Sequence, residues 1–143
     1  MAFAGASASG ADASVAWVVK ADARAVPRHL AGALAKQADV VVFSRGEADF
    51  VFNALGEANH RGRQPVVVET RGRTEVALRQ NGQVEVYPVD PIETDDPTGA
   101  GDTFAGGFLA AWLMYGDPDA AVRAGVAAAR AMLAERVRIS RLD

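Results

Sequence analysis

Apolar residues recur along this chain in two rhythms, and the points where one gives way to the other mark its elements. Residues 14–19 form a short apolar run, and Val40-Val41-Val42-Phe43 forms a second that is β-branched and aromatic with no polar residue interposed. Such a run suits a strand buried on both faces of a mainly parallel sheet. Between the two, a helix is predicted over 27–37, with Pro27 in a first turn where a missing N–H costs little. Strand, helix, strand makes a βαβ unit.

Phe50, Val51, Ala54 and Leu55 then fall at helical spacing and predict a short amphipathic helix over 47–55, closed by Gly56. Residues 65–68 read as a further strand. Val76-Ala77-Leu78 and Val84-Glu85-Val86-Tyr87 flank Asn81-Gly82, a dipeptide suited to the left-handed turn of a hairpin. From Gly101 to Tyr115 the residues Phe104, Phe108, Leu109, Trp112 and Leu113 make a broad apolar stripe, so this helix is expected to be substantially buried. Gly116 closes it, Asp117 caps the next helix, Pro118 takes its first position, and Ala-rich sequence carries it to about residue 135. The class is α/β: a mostly parallel sheet flanked by helices, with an antiparallel hairpin at one side and a ligand site at the carboxyl ends of the strands.

With 143 residues, half of them hydrophobic and 23% charged, the chain has the composition of one folded domain and not of a disordered tail. Its formal net charge of −3 argues against a nucleic-acid surface, although a local anion site stays open. There is no cysteine to build a disulfide or thiolate site, and His29 and His60 are isolated. No apolar run approaches the roughly 20 residues that cross a bilayer. Residues 1–13 are small and lack the charged start and apolar centre of a signal peptide, so they read as a flexible tail ahead of a domain over 14–143. A cytoplasmic location follows, with neither membrane nor nucleic acid as partner. The Arg-rich stretch 61–79 reads as a solvated loop and strand face, with a phosphate contact from one arginine left open.

The candidate chemistry lies at Thr98-Gly99-Ala100-Gly101-Asp102, where a loop enters the buried helix. Amides at a helix start, aided by the helix dipole, form a cradle for an anion. The glycines permit left-handed conformations and close approach of a ligand to the backbone. A carboxylate at Asp102 can take the proton from an attacking hydroxyl while the amides stabilise a transferred phosphoryl group. The plainer alternative is that Asp102 caps the helix and the glycines make a turn.

The longer string Asp96-Pro97-Thr98-Gly99-Ala100-Gly101-Asp102-Thr103-Phe104, continued by Ala105-Gly106-Gly107-Phe108, resembles the C-terminal signature of the ribokinase (PfkB) family of small-metabolite kinases. The resemblance implies a ribokinase-like fold, with Asp102 as catalytic base and the Gly99, Ala100 and Gly101 amides as anion hole. Ser44-Arg45-Gly46-Glu47 is similar to the family's Asn-x-x-Glu, which implies that Glu47 organises magnesium and the phosphates, with Ser44 beside it. The plain reading of Glu47 is a surface residue favoured by the dipole of a helix start. Val66-Val67-Val68-Glu69-Thr70-Arg71-Gly72 resembles the strand and Thr-x-Gly loop that contacts nucleotide, which implies binding roles for Thr70 and Gly72 alongside Thr98; the plain reading is a strand ending in a glycine turn. The Ala-rich helix from Pro118 corresponds to the helix beside the adenine pocket.

The resemblance covers roughly 14–135 but only the C-terminal part of a complete member, since the substrate-binding motifs and lid lie N-terminal to anything here. Ser44 stands for the usual Asn, Pro97 for the commoner Thr, and Glu75 where a second glycine often follows, bringing negative charge toward the phosphates. Ser44 and Pro97 together look more like the branch containing inositol kinases. The implied activity is transfer of the γ-phosphoryl of ATP, with Mg2+, to a hydroxyl of a small sugar, polyol or nucleoside. A nucleotide-binding fragment or pseudokinase without turnover is the rival, and a structural α/β domain a third reading. An edge strand lacking the family's earlier strands is expected to drive homo-oligomerisation or pairing with a complementary half.

Overall fold

In the computed structural model, which describes residues 2–6, 13–19, 27–57 and 64–142, the apolar run at 40–43 occupies the middle of a six-stranded sheet. Val40, Val41, Val42 and Phe43 on β3 (Val40–Ser44) are all buried, Val40 and Val42 in one core and Val41 and Phe43 in the other. That division is what a strand without polar alternation requires, because successive side chains point to opposite faces.

β3 pairs in parallel with β2 (Ala13–Val18) and with β4 (Val66–Arg71). The crossovers are α1 (Arg28–Gln37) and α2 (Ala48–Glu57), and buried residues of both helices join Trp17, Val41, Phe43 and Val67 on one face of the sheet. A 3-10 turn, Arg45–Glu47, leads from β3 into α2. β5 (Glu75–Gln80) and β6 (Gln83–Pro88) complete that side as an antiparallel hairpin. Asn81 and Gly82 both have positive φ, 52° and 73°, the turn that the Asn-Gly dipeptide predicted.

The opposite face is covered by α3 (Ala100–Tyr115) and α4 (Pro118–Ser140), which bury Phe104, Phe108, Ala111, Ala121 and Val122 against Val40, Val42, Val68 and Leu78. Gly116 ends α3 in the left-handed conformation, φ 66°, and Asp117 caps α4 by accepting from the Asp119 amide at 3.0 Å. The two helices approach through glycine. A Cβ placed on Gly107 would lie 2.8 Å from the Ala128 side chain, and one on Gly125 would lie 2.7 Å from the Phe104 ring and 2.9 Å from its carbonyl oxygen.

Three expectations are corrected. Ala2–Ala6, read as part of a flexible tail, form β1, antiparallel to β2; residues 7–12 lie outside the described residues. Small residues carry no amphipathic signal, so only the backbone register reveals this strand. α2 runs through Gly56 to Glu57, and α4 continues past 135 to Ser140. A glycine near a helix end weakens the helix without stopping it, and the extra length of α4 matters below.

The glycine contact yields a paired test. Gly125→Ala forces a methyl group into Phe104 and should destabilise the chain by about 1–3 kcal/mol, the usual cost of overpacking. A Cβ on Gly106 has nothing within 4 Å. Gly106→Ala, an exposed helix-interior position, should instead stabilise by roughly 0.5–1 kcal/mol. Chemical denaturation of both variants reads the two signs.

Candidate functional site

Parallel pairing sets Ser44 beside Thr70 at the carboxyl ends of β3 and β4. Sheets of this class bind ligands at these ends, where the loops leave the strands. A cavity of about 390 Å³ opens there, and its wall includes Ser44, Thr70, Gly72, Ala100 and Gly101. Three separate motifs of the sequence therefore meet around one space, whose volume falls within the usual range for small-molecule sites, roughly 300–1,000 Å³.

The rest of the wall is mainly apolar. Val76, Val89, Ile92 and Phe104 line it, and from α4 come Val126, Ala129, Arg130 and Leu133. Those four α4 positions fall at helical spacing on one face, so the Ala-rich helix borders the cavity.

At the helix start, Gly99 is the N-cap residue with φ 89° and Gly116 closes the far end, so α3 is bracketed by left-handed glycines. Gly101 is different: its φ is not positive, and a Cβ on it would meet nothing within 4 Å. Only Gly99 needs glycine for its backbone, while Gly101 keeps a side chain out of the cavity. The first bond closing the helix runs from the Thr103 amide to the Gly99 carbonyl at 2.9 Å, so the amides before it face out of the helix end. Of these, Ala100 N–H donates to the Pro97 carbonyl at 3.2 Å.

Asp102 sits in this first turn and is exposed, and neither it nor Thr98 and Gly99 belongs to the cavity wall, although they continue the same loop and turn. Glu47 is also outside the wall. Its carboxylate reaches back to accept from the Ser44 amide at 2.8 Å, the arrangement of a helix-start residue. Among the described residues there is no group of three or more acidic or histidine side chains placed to hold a metal ion. Glu75 does not line the cavity; it follows the strand alternation to the opposite face, where Arg71 lies 3.6 Å away. Its charge is therefore not aimed at the space.

The arginines are the residues that sequence reasoning missed. The connection from Val89 to Pro97 has no regular secondary structure, and three guanidiniums hold it by its carbonyls. Arg73 Nη2 donates to Thr94 O at 3.4 Å, Arg130 Nη1 to Asp90 O at 2.6 Å, and Arg136 Nη1 to Asp96 O at 3.1 Å and also to Thr98 O. Arg73 and Arg130 themselves line the cavity. Within the Arg-rich stretch, Arg71 instead pairs with the buried Glu69 at 2.6 Å and Arg79 lies 5.2 Å from the centre of the Phe52 ring, while Arg61 and Arg63 fall outside the described residues. No local spacing signals these contacts, since up to 40 residues separate the partners.

These observations meet independent likenesses. The model of the pfkB family of carbohydrate kinases matches residues 8–140. The chain belongs to that family. It is 33% identical over 90 residues to a fructokinase of Klebsiella pneumoniae, an alignment covering 63% of this chain and 29% of the relative. The apo adenosine kinase of Trypanosoma brucei brucei superposes with a TM-score of 0.64 at 27% identity, over 73% of this chain and 38% of that one. A ribokinase of Thermotoga maritima shares the fold, with a TM-score of 0.61 at 20% identity, over 80% of this chain and 40% of its own. The chain thus spans well under half the length of each. Among the described residues no helix is long and apolar enough to cross a membrane.

Asp96 ties the loop together locally. Its side chain accepts from the Thr98 amide at 3.1 Å, and its carboxyl is held below the ordinary aspartate value of 3.8, first by hydrogen bonding to the Thr98 side chain, then by the Thr98 backbone and the charge of Arg136. A depressed pKa means that the contact is intact above the ordinary value and is lost as pH falls through the lower folded one. In an NMR titration the Thr98 amide resonance should stay fixed on acidification from neutrality and move only with a midpoint below 3.8. A midpoint at or above that value would show that this turn does not form in solution.

Proposed function

We propose that this chain supplies the nucleotide-binding and phosphoryl-transferring part of a kinase that moves the γ-phosphoryl of ATP to a hydroxyl of a small sugar, polyol or nucleoside. The observation that carries the reading is the convergence of Ser44, Thr70, Gly72, Ala100 and Gly101 on one cavity at the carboxyl ends of β3 and β4. An apolar wall with polar groups at one end suits a flat base joined to a phosphate chain. ATP brings the activated phosphoryl group, and the protein's contribution is position and charge.

Asp102 is the proposed base. It is exposed in the first turn of α3, so a hydroxyl brought to that side would give up its proton to the Asp102 carboxylate. Gly99, Ala100 and Gly101 supply the anion hole, and the weak turn bond from Ala100 to Pro97 gives way when a better acceptor arrives. Thr98 and Thr70 contribute hydroxyls toward the phosphates. Magnesium, which keeps much of its water and binds through phosphates and one or two carboxylates, needs no dedicated cage. Glu47 and Ser44 are the residues that would contact its water shell.

A second reading has its own support: nucleotide binding without turnover. Neither Asp102 nor Glu47 lines the cavity.

Binding and transfer separate the two. Calorimetry should show Mg·ATP binding to the chain, and Gly101→Val should weaken it at least about tenfold by placing a side chain in the cavity. Equal affinity in a folded Gly101→Val variant would remove the cavity from nucleotide binding. In a phosphoryl-transfer screen over sugars, polyols and nucleosides, any turnover should fall about 100-fold in Asp102→Asn with ATP affinity little changed. Binding with no transfer to any acceptor would favour the second reading.

A further inference from the structure

We infer that Arg136 is the positioning residue that sets the backbone of the 98–101 loop beside the cavity, acting from the far end of α4. The inference rests on the nucleotide reading for its functional consequence, but its structural content stands on the contacts alone.

Arg136 makes more contacts to the loop than any helix-start argument supplies. Its Nη1 donates to the main-chain carbonyls of Asp96 and Thr98, and lies 3.5 Å from Asp96 Oδ2. Its Nη2 lies against Gly99, where a Cβ would come within 3.7 Å of it. One planar guanidinium thus touches Asp96, Thr98 and Gly99 in succession. A carbonyl held from one side fixes the peptide plane, and the N–H of the next residue is fixed with it. Holding Thr98 O orients the Gly99 amide. Holding Asp96 O restrains the peptide that enters Pro97, whose ring already limits rotation.

The ion pair with Asp96 is not what does this. Both side chains are more than a third exposed, at 37% and 65%, and an exposed pair contributes little. The directional hydrogen bonds from a charged donor to carbonyls carry the effect. Both carbonyls are engaged by one nitrogen, Nη1, while Nη2 lies beside Gly99; a lysine ammonium has the charge and three donors but is a point charge on a flexible stem, without the planar group that sets the two nitrogens together. The Asp96 carboxylate, beside the same guanidinium, accepts from the Thr98 amide, so the Pro97-Thr98 segment is held at both a carbonyl and an N–H.

Position along α4 accounts for the specificity of the arrangement. Arg136 lies beyond the four α4 residues that line the cavity and is absent from its wall, so it reaches the loop from behind. It therefore acts on bound phosphate through the loop and not by contact. The continuation of α4 past residue 135 is what places it there.

The test compares Arg136→Gln, Arg136→Lys and Asp96→Asn in the full chain. Hydrogen exchange without ligand should show the hydrogen-bonded amides of Thr98 and Ala100 exchanging about tenfold faster in Arg136→Gln, the loss expected for one charge-assisted bond, with an intermediate effect in Arg136→Lys. Melting temperature should stay close to the parent's, since the side chain is half-exposed at the end of a helix. Mg·ATP affinity should fall in the same order, least in Asp96→Asn, which keeps the carbonyl contacts. Exchange at Thr98 and Ala100 equal to the parent's in Arg136→Gln, or faster exchange spread evenly over α3 and α4, would overturn the inference. If the parent binds no Mg·ATP, the nucleotide reading falls, while the ligand-free exchange still decides the role of Arg136.

Discussion

The close approach of α3 to α4 is the constraint on which the rest of this molecule depends. Gly107 meets Ala124 and Ala128, and Gly125 meets the backbone and ring of Phe104, at separations that leave no room for a β-carbon. That contact fixes two helices with different tasks. α3 begins in the loop that carries Asp102, and α4 carries the apolar face and the arginines that address the same loop and cavity. Were the helices further apart, Arg130 and Arg136 would no longer reach the carbonyls of Asp90, Asp96 and Thr98. Packing in the core and geometry at the site are therefore one problem, solved by two glycines and a stripe of alanines.

The second support is the parallel pairing of β2, β3 and β4. It places all three carboxyl ends at one edge of the sheet, and Ser44 and Thr70 side by side. The hairpin then supplies Val76 to the cavity from the far side, while the alternation along β5 turns Glu75 away to Arg71. A period of two along the strand thus turns Val76 to the cavity and Glu75 to a neighbouring arginine.

Between these supports runs a connection that has almost no backbone bonds of its own. Arg73, Arg130 and Arg136 take up carbonyls along it, so side chains from a strand turn and a helix do what a sheet ladder does elsewhere. A guanidinium offers several donors from one anchor, so a few side chains can hold a length of irregular backbone.

The elements with a strong local period were legible from the residues themselves. The buried strand at 40–43, the hairpin at Asn81-Gly82, the apolar stripe of α3 and the Asp117-Pro118 start of α4 each follow from side-chain chemistry within a few neighbours. The signature around Asp102 was legible for the same reason, since its residues are contiguous. β1 was not, because alanine and glycine favour no face and the strand exists only through its pairing with β2. Nor was the end of α4, which Arg136 and its loop partners extend into a working part of the structure. Which candidate residues share a cavity was likewise settled by the sheet register and the helix contact. Sequence determines what each segment prefers within a turn or two; contacts between residues 38 or 40 positions apart depend on how those segments pack, and only the tertiary structure decides them.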